Sequence, residues 1–375
     1  MGVSSLGDAF SVVMKRHGWS GAALARKLDV SQPWVSMVLA GKRDPGMAKA
    51  ARLLRTVGWE LELVPSEEDD PVRRRRFLAS AASVALTPPA TGRHPYRDAS
   101  YVRLLADRLA YTEEQIGGAP LVREALRHVR LVAPAMLGTD TGLQSAASGL
   151  ARHAALILHD TRDLDNAERV ANLSLALAGK GRDTCAQANA YSTLSLIRTY
   201  GKPRFRAAEY VRRGLALHDL DDATRAALLV RLARSLAVLP GQERPVRRAL
   251  EEAQALASRL NPADAAEVMA NSGIALADCG LHALGAVDLR KAVAGVESQS
   301  PLLAGLYRAR LTKSAIRAGD VGAMTEGVAS VALVAPLLTS RRMDIHVRHI
   351  LTGTRPWAAV PEVRKAREQL REVTR

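Results

Sequence analysis

Residues 20–45 read SGAALARKLDVSQPWVSMVLAGKRDP and predict two short helices separated by a tight turn. Ser20 and Ser31 are favoured N-cap residues, because a serine hydroxyl accepts from a free N–H in the first turn of a helix. Pro33 suits the first turn of the second helix, where its missing N–H costs nothing. Asp29 stands at the reversal, and aspartate is one of the few residues besides glycine that tolerate a positive φ.

The apolar positions of this stretch are spaced so that two steeply crossing helices bury them together. They are Leu24, Ala25, Leu28, Val30, Val35 and Val38. Ala25 is expected where the two axes come closest, since a larger side chain there would push them apart. The flanking apolar spacing predicts a helix over 6–17 and another over 46–57, which Gly58 ends.

This pattern resembles the helix-turn-helix of the phage-repressor-like, xenobiotic-response-element family of transcriptional regulators, over roughly residues 6–58. The run VSQPWVSMVLAGKRDP, residues 30–45, is its most specific part. The sequence departs from the family at Asp29, where glycine is more common, and at Trp34, where smaller polar residues are common. The resemblance implies double-stranded DNA as a partner, with the N-terminal end of the second helix entering the major groove.

Eight residues are predicted to contact DNA: Ser20, Ser31, Gln32, Trp34, Ser36, Met37, Lys42 and Arg43. Gln32 can bond an adenine edge, and Trp34 can contact thymine methyl groups. Lys42 and Arg43 follow the helix and can meet backbone phosphates. Structural roles stay open: Gln32 could complete a capping turn, and Trp34 could pack on the domain surface. Lys42 and Arg43 could be solvated turn residues.

Residues 59–64, WELELV, alternate apolar and acidic side chains with the period of a β-strand. A single strand in a helical domain has no neighbour in its own chain. We therefore expect it to pair with the same strand of a second copy, which would form a homodimer. A local extended segment is the alternative. The first domain is predicted to span residues 1–64.

Residues 65–98 are predicted to be a linker, since they are rich in proline, glycine and clustered charges. The stretch RRRRFLASAASVAL at 73–86 predicts one amphipathic helix inside it. The same stretch resembles a twin-arginine export signal, but such signals act at the N-terminus and 72 residues precede this one.

From residue 99 to 375 the apolar spacing predicts helix after helix, with turn signals at regular intervals. Gly201, Gly241, Gly280 and Gly319 are separated by 40, 39 and 39 residues. A repeat of this length indicates an α-solenoid of helical hairpins, in which each hairpin buries its apolar face against its neighbours. The stretch resembles tetratricopeptide-like repeats in architecture over roughly residues 100–350, although its period is longer.

By resemblance, such arrays bind peptides, protein segments or other copies of themselves on a concave face. The first helix of each repeat places seven polar residues on that face. They are Asn189, Tyr191, Arg231, Arg234, Asn271, Tyr307 and Arg310. We predict them as contacts for an effector, and simple solvation is the alternative.

Composition and motifs argue against several other classes of protein. Cys185 and Cys279 are the only cysteines, so neither a disulfide scaffold nor a cysteine zinc site is expected. We expect both cysteines to be buried, reduced thiols. The pairs His153 with His159 and His346 with His349 lack neighbouring carboxylates at metal-ligand spacing. No phosphate-binding glycine loop or nucleophile elbow is present, and no apolar run is long enough to span a membrane. We expect no enzyme activity, no cofactor and no metal.

The sequence as a whole predicts an all-α protein with an N-terminal helix-turn-helix domain and a C-terminal array of helical hairpins. Its net charge of +15 fits a polyanionic partner or an ordinary basic surface equally well. The expected function is a cytoplasmic, homodimeric, sequence-specific DNA-binding transcriptional regulator. Its repeats are expected to bind an effector, which is a peptide, a protein or a small molecule, or to mediate dimerisation, or to do both. The alternatives are a protein–protein scaffold and an antitoxin-like autoregulator.

Overall fold

The computed structural model describes residues 2–3, 6–40, 53–54, 56–64, 83–87, 95–201 and 204–373. The chain divides into two compact units, Met1–Arg93 and His94–Arg375. The described residues are mostly helical, as expected from the composition, with a small sheet in the first unit.

The first unit begins with three helices: α1 (Leu6–His17), α2 (Gly21–Lys27) and α3 (Gln32–Leu39). Ser20 is the N-cap of α2 and Ser31 is the N-cap of α3, so both helices begin where the sequence predicts. Asp29 lies in the turn between them with φ of 54°, which confirms the predicted left-handed position. Most of the helix predicted over 46–57 lies outside the described residues.

The three helices enclose a small apolar core to which α1, α2 and α3 all contribute. Phe10, Leu24, Leu28, Val35 and Val38 are almost fully buried in it, and Ala25 is 3% exposed, as expected for the closest approach of two helices. Trp59 joins this core and donates from Nε1 to Nε2 of His17 at 2.8 Å. This bond ties the end of α1 to the chain that enters the sheet.

The sheet has three antiparallel strands, β1 (Gly2–Val3), β2 (Glu60–Val64) and β3 (Ser83–Thr87), in the order β1-β3-β2. The strand predicted at 59–64 is therefore present. The expectation that it lacks a neighbour in its own chain is wrong, because Glu60 pairs with Thr87 and Val64 with Ser83. The predicted linker helix over 73–86 is wrong at its end, because Ser83–Thr87 is a strand. Residues 73–82 lie outside the described residues.

The second unit contains fourteen helices among the described residues of 95–373. They are α4 (Ala99–Ile116), α5 (Val122–Val132), α6 (Thr141–Asp160), α7 (Leu164–Gly181), α8 (Thr184–Tyr200), α9 (Phe205–Leu215), α10 (Asp222–Ala237), α11 (Glu243–Ala257), α12 (Pro262–Asp278), α13 (His282–Val296), α14 (Pro301–Ala318), α15 (Val321–Val334), α16 (Arg341–Gly353) and α17 (Pro361–Glu372).

Side-chain caps explain where most of these helices begin. The capping residues, each accepting from an N–H of the first turn, are Asp98, Asp140, Asp163, Asp183, Asp221, Asn261, Ser300, Asp320 and Ser340. Gly241, Gly280 and Gly319 have positive φ in the turns that follow α10, α12 and α14, as the repeat predicts. Gly273 on α12 and Gly285 on α13 let these two helices pack tightly, since a Cβ on Gly273 would lie 2.7 Å from the Gly285 oxygen.

The first helices of successive pairs form a closed circuit. Helix α4 packs on α6, α6 on α8, α8 on α10, α10 on α12 and α12 on α14, and α14 packs back on α4. Helices α7, α9, α11 and α13 each pack against the two helices that flank them in the chain. The sequence predicts only contacts between neighbours, so the return of α14 to α4 is a feature that the repeat pattern does not show.

A set of hydrogen bonds, here called the closing contact, joins residues 116–119 and Asp160 to residues 339–342. The Thr339 N–H donates to the Ile116 oxygen at 2.6 Å, and the Ala119 N–H donates to the Thr339 oxygen at 3.2 Å. Asp160 is fully buried and accepts from three groups. These are the Gly118 N–H at 2.9 Å, the Ser340 hydroxyl at 2.6 Å and Arg342 Nε at 2.7 Å. The backbones approach so closely that a Cβ on Gly117 would lie 2.6 Å from the Thr339 oxygen.

Candidate nucleic-acid interface and inner polar cluster

Helix α3 has one buried side and one exposed side. Trp34, Val35 and Val38 are buried, whereas Gln32, Ser36 and Met37 are exposed. Pro33 is also exposed and lies in the first turn, where it leaves no N–H unsatisfied. Gln32 and Pro33, the first two residues of α3, are both exposed, so the N-terminal end of the helix is available to a partner.

The two capping serines differ in what their hydroxyls do. The Ser20 hydroxyl accepts from the Ala23 N–H at 3.2 Å, so it is engaged in capping α2. Ser31 is exposed and makes no side-chain capping bond to α3, although it occupies the N-cap position. The first-turn N–H groups of α3 therefore do not donate to the Ser31 side chain. N–H groups at the start of a helix attract anions.

The expectation that Trp34 faces outward with Ser36 is wrong. Its side chain is only 7% exposed, and its ring centroid lies 6.2 Å from that of Phe10 on α1. Burial of the indole stabilises the fold more than exposure beside its polar neighbours would, because it removes a large apolar surface from water. Trp34 thus packs between α3 and α1 in the core and is not available to thymine methyl groups.

Basic groups lie at the ends of the first two helices. Lys15 and Arg16 are exposed in the last turn of α1, and Arg26 and Lys27 are exposed in the last turn of α2. Lys27 lies with its ammonium 5.9 Å from the centre of the Trp19 ring, a cation–π distance. Lys42 and Arg43, predicted as phosphate contacts, lie outside the described residues.

In the second unit, the structure brings several predicted effector residues together inside the helix circuit. Arg234 on α10, Asn271 on α12 and Tyr307 on α14 are all at least nine-tenths buried. Arg234 donates from Nη1 to the Asn271 side-chain oxygen at 2.7 Å, which links two first helices. Arg231 lies one turn before Arg234 and is half-buried.

The other predicted effector residues lie elsewhere. The Tyr191 ring faces Tyr210 on α9 at 6.5 Å between centroids, so it packs between the two helices of its own pair. Asn189 is half-buried on α8 and its backbone oxygen accepts from the Thr193 hydroxyl. Arg310 lies 3.6 Å from the Asp278 carboxylate.

We call the set of eight residues that share this region the inner polar cluster: Glu113, Arg152, Arg231, Arg234, Glu267, Asn271, Tyr307 and Arg342. Four of them, Glu113, Arg152, Glu267 and Arg342, were not predicted from the sequence. For Arg152, the sequence contains a signal that could have placed it with Arg231. It lies ten residues before the positive-φ turn residue Arg162, just as Arg231 lies ten residues before Gly241. Glu113 and Arg342 have no such signal, because only the closed circuit brings α4 and α16 to one place.

Electrostatic coupling shows which side chains share this space. Burial raises the pKa of the Tyr307 hydroxyl, and Glu267 adds to the rise while Arg234, Arg231 and Arg342 oppose it. Burial lowers the pKa of the Arg152 guanidinium, whereas Glu267 and Glu113 oppose that change. Side chains from α4, α6, α10, α12, α14 and α16 therefore lie within electrostatic reach of one another.

Glu113 is the most strongly perturbed carboxyl in this cluster. It is 6% exposed, and burial raises its pKa from 4.5 to about 8, even though Arg342 lowers it in part. The Arg342 Nη2 atom lies 3.9 Å from the Glu113 carboxylate and Arg342 is shared with Asp160. Glu113 is thus mostly protonated at neutral pH, while Asp160 receives the shorter bond from Arg342.

The histidines near the cluster favour the neutral form. Burial lowers the pKa of His153 well below its usual value, and Arg152, whose Nη2 lies 3.0 Å from His153 Nε2, lowers it further. Burial also lowers the pKa of the fully buried His159, and Arg342, Arg162 and Arg231 add to this. The neighbouring arginines therefore create a positive electrostatic potential around His153 and His159.

The described part of the chain lacks the features of a metal site or a membrane span. No group of three or more histidine, cysteine, aspartate or glutamate side chains is arranged to hold a metal ion there. None of its helices combines the length and the apolarity that a membrane crossing requires. Cys185 and Cys279 are free thiols and are partly exposed rather than buried, contrary to expectation.

No protein-family model matches the sequence, and no curated protein matches it either.

Proposed function

We propose that the chain is a cytoplasmic, homodimeric transcriptional regulator that binds double-stranded DNA sequence-specifically through α3. The observation that carries this proposal is the exposed side of α3, which has Gln32 at its leading end and lies opposite the buried Trp34, Val35 and Val38. A short helix that presents polar side chains at its leading end is what a major groove admits.

Gln32 has the role of reading a base, since its amide can both donate to and accept from an adenine edge. Ser36 and Met37 follow one turn later on the same exposed side. Ser31 and the first N–H groups of α3 contact a phosphate, as does the N-terminal end of α2. Exposed lysines and arginines of the first unit, together with Lys42 and Arg43, supply affinity that does not depend on sequence.

The second unit has the role of a sensor that binds an effector inside the helix circuit. Two observations support this role: predicted effector residues from α10, α12 and α14 converge there, and the net balance of charges around them is positive. An effector changes DNA affinity only if it prefers one arrangement of the two DNA-binding heads of a dimer.

The test is selection of bound sequences from a random DNA pool, followed by mobility shift with the selected sites. Gln32→Ala should relax preference at one base position by about tenfold, because a bidentate base contact contributes about 1–3 kcal/mol of discrimination. Replacing Lys42 should instead weaken binding to all sequences and reduce the salt dependence.

The matched control is Gln369→Ala, which changes the same residue type at an exposed position on α17 in the other unit. It should leave both preference and affinity unchanged. If the wild-type chain selects no sequence, the DNA-binding proposal is wrong. If Gln32→Ala selects the same bases as the wild type, Gln32 is not the base-reading residue.

A further inference from the structure

The inner face of the helix circuit carries more positive than negative charge. Its cations are Arg152, Arg231, Arg234 and Arg342. Its carboxylates are Glu114, Asp160 and Glu267. Glu113 adds little negative charge at neutral pH because its pKa is about 8. An excess of guanidinium groups in a partly desolvated space attracts anions.

Water reaches part of this space. Glu267 is exposed, and Arg152 and Arg231 are half-buried, although all three belong to first helices of the circuit. Burial is nevertheless the main cause that lowers the pKa of Arg152. Solvent touches these side chains while protein surrounds part of each, so charge–charge interactions among them are stronger than on an open surface.

Two of the arginines, Arg152 and Arg234, are held by neighbouring side chains, and Arg152 Nη2 lies 3.0 Å from His153 Nε2. The Asn271 side-chain oxygen fixes Arg234 through a 2.7 Å bond, and Asn271 in turn donates to the Glu267 backbone oxygen at 2.8 Å. The Tyr307 hydroxyl holds its proton at neutral pH, as tyrosine ordinarily does, so it can donate to an acceptor. Guanidinium groups of fixed orientation match carboxylate and phosphate oxygens with two parallel hydrogen bonds.

We propose that the inner polar cluster binds a small organic anion, whose carboxylate or phosphate oxygens are received by Arg152 and Arg231. Tyr307 donates to the same anion, and Glu267 opposes its binding by charge repulsion. This deepens the proposed regulatory function by giving the chemical class of its effector, and only the consequence for DNA binding rests on that function.

The experiment is isothermal titration calorimetry of the full chain without DNA, at pH 7 and constant ionic strength. Inorganic phosphate and citrate are the two probes, and they distinguish phosphate from carboxylate ligands; sodium chloride is the reference. Arg231→Gln and Arg152→Gln should each weaken binding of the preferred probe by about tenfold, since each removes one unit charge near the anion. Arg247→Gln on α11, an exposed arginine paired with Glu243, should leave binding unchanged.

Glu267→Gln gives the decisive result, because it should strengthen binding about threefold or more by removing a repulsive charge. Glu267 is exposed, so this variant is expected to fold, and circular dichroism checks that it does. Weaker or unchanged binding by Glu267→Gln would overturn the proposal. Absence of saturable binding of both probes to the wild-type chain would overturn it too. DNA mobility shift is measured separately, so loss of anion binding and loss of DNA binding are distinguishable.

Discussion

Trp34 shows how one residue can change role between sequence and structure. It is 7% exposed and packs against Phe10, so it stabilises the small core of the first unit. We expect Trp34→Ala to lower the free energy of unfolding of this unit by about 3 kcal/mol, because it removes a large buried ring and leaves a cavity. Urea titration followed by the fluorescence of Trp19 and Trp59 measures the loss.

Met37 provides the control for this prediction. Its side chain lies on the exposed side of the same helix, so Met37→Ala should cost less than about 1 kcal/mol. Equal losses for the two variants would show that Trp34 does not support α3.

Glu113 makes stability depend on pH in a definite direction. Its pKa is about 8 in the folded chain and near the ordinary 4.5 in the unfolded chain, so between these values only the folded chain holds the proton. This contribution to stability is therefore present at low pH and is lost as pH rises toward 8. Glu113→Gln, which mimics the protonated form, should reduce the loss between pH 5 and pH 8 by a few kcal/mol.

Urea midpoints of both proteins at the two pH values give the comparison. The difference between variant and wild type isolates Glu113 from the histidines, whose lowered pKa values favour stability as pH rises. Glu252→Gln, an exposed carboxyl on α11, should follow the wild-type profile. Parallel profiles for Glu113→Gln and the wild type would contradict the prediction.

Single residues were predicted best where local chemistry decides their place. Ser20, Ser31, Asp29 and Pro33 lie where capping and turn geometry require, because these preferences act within a few residues. Trp34 was not predicted correctly, since its burial depends on what α1 offers at Phe10. Glu113 and Arg342 could not be predicted, because they meet only through contacts between distant parts of the chain.

Among the junctions between helices, the closing contact is the one that depends on a single buried carboxylate, that of Asp160. Asp160 is fully buried and is the acceptor for Gly118, Ser340 and Arg342. We expect Asp160→Ala to lower the free energy of unfolding of the second unit by about 3–5 kcal/mol, since it leaves Arg342 without its carboxylate. Amide hydrogen exchange should accelerate at Thr339 and Ala119, whose N–H groups bridge the two segments.

Glu252→Ala is the control, because its partner Arg248 is largely exposed and such pairs contribute less than about 1 kcal/mol. Unchanged exchange at Thr339 in Asp160→Ala would mean that the backbone bonds alone hold the contact. The starts of the helices, by contrast, follow from the sequence, because a capping residue precedes most of them.

At the level of the whole molecule, the prediction of a homodimer remains open to direct measurement. Strand β2 is at one edge of the sheet order β1-β3-β2, so only one of its two sides is paired by β3. We expect sedimentation equilibrium to give twice the chain mass of 40.3 kDa at micromolar concentration. Leu61→Pro should shift the mass toward the monomer, with circular dichroism checking that the helices persist.

A monomeric mass for the wild-type chain at every concentration would contradict the dimer. An unchanged dimer mass in Leu61→Pro would assign the interface to the second unit instead. The repeat pattern predicts the order and approximate length of the helices in that unit, because turn glycines and caps recur along the chain. It does not predict the circuit, since a period describes neighbours and says nothing about where an array ends.

The bond between Asp160 and Arg342 also fixes when this protein can finish folding during synthesis. Residues up to Arg342 must leave the ribosome before the last partner of Asp160 exists, so until then only the Gly118 N–H can donate to that carboxylate. Contacts between such distant positions slow folding and lengthen the exposure of apolar surface. A product that terminates before residue 340 would retain most of its helices and yet lack the partners that Asp160 requires, which makes it a substrate for chaperones and proteases.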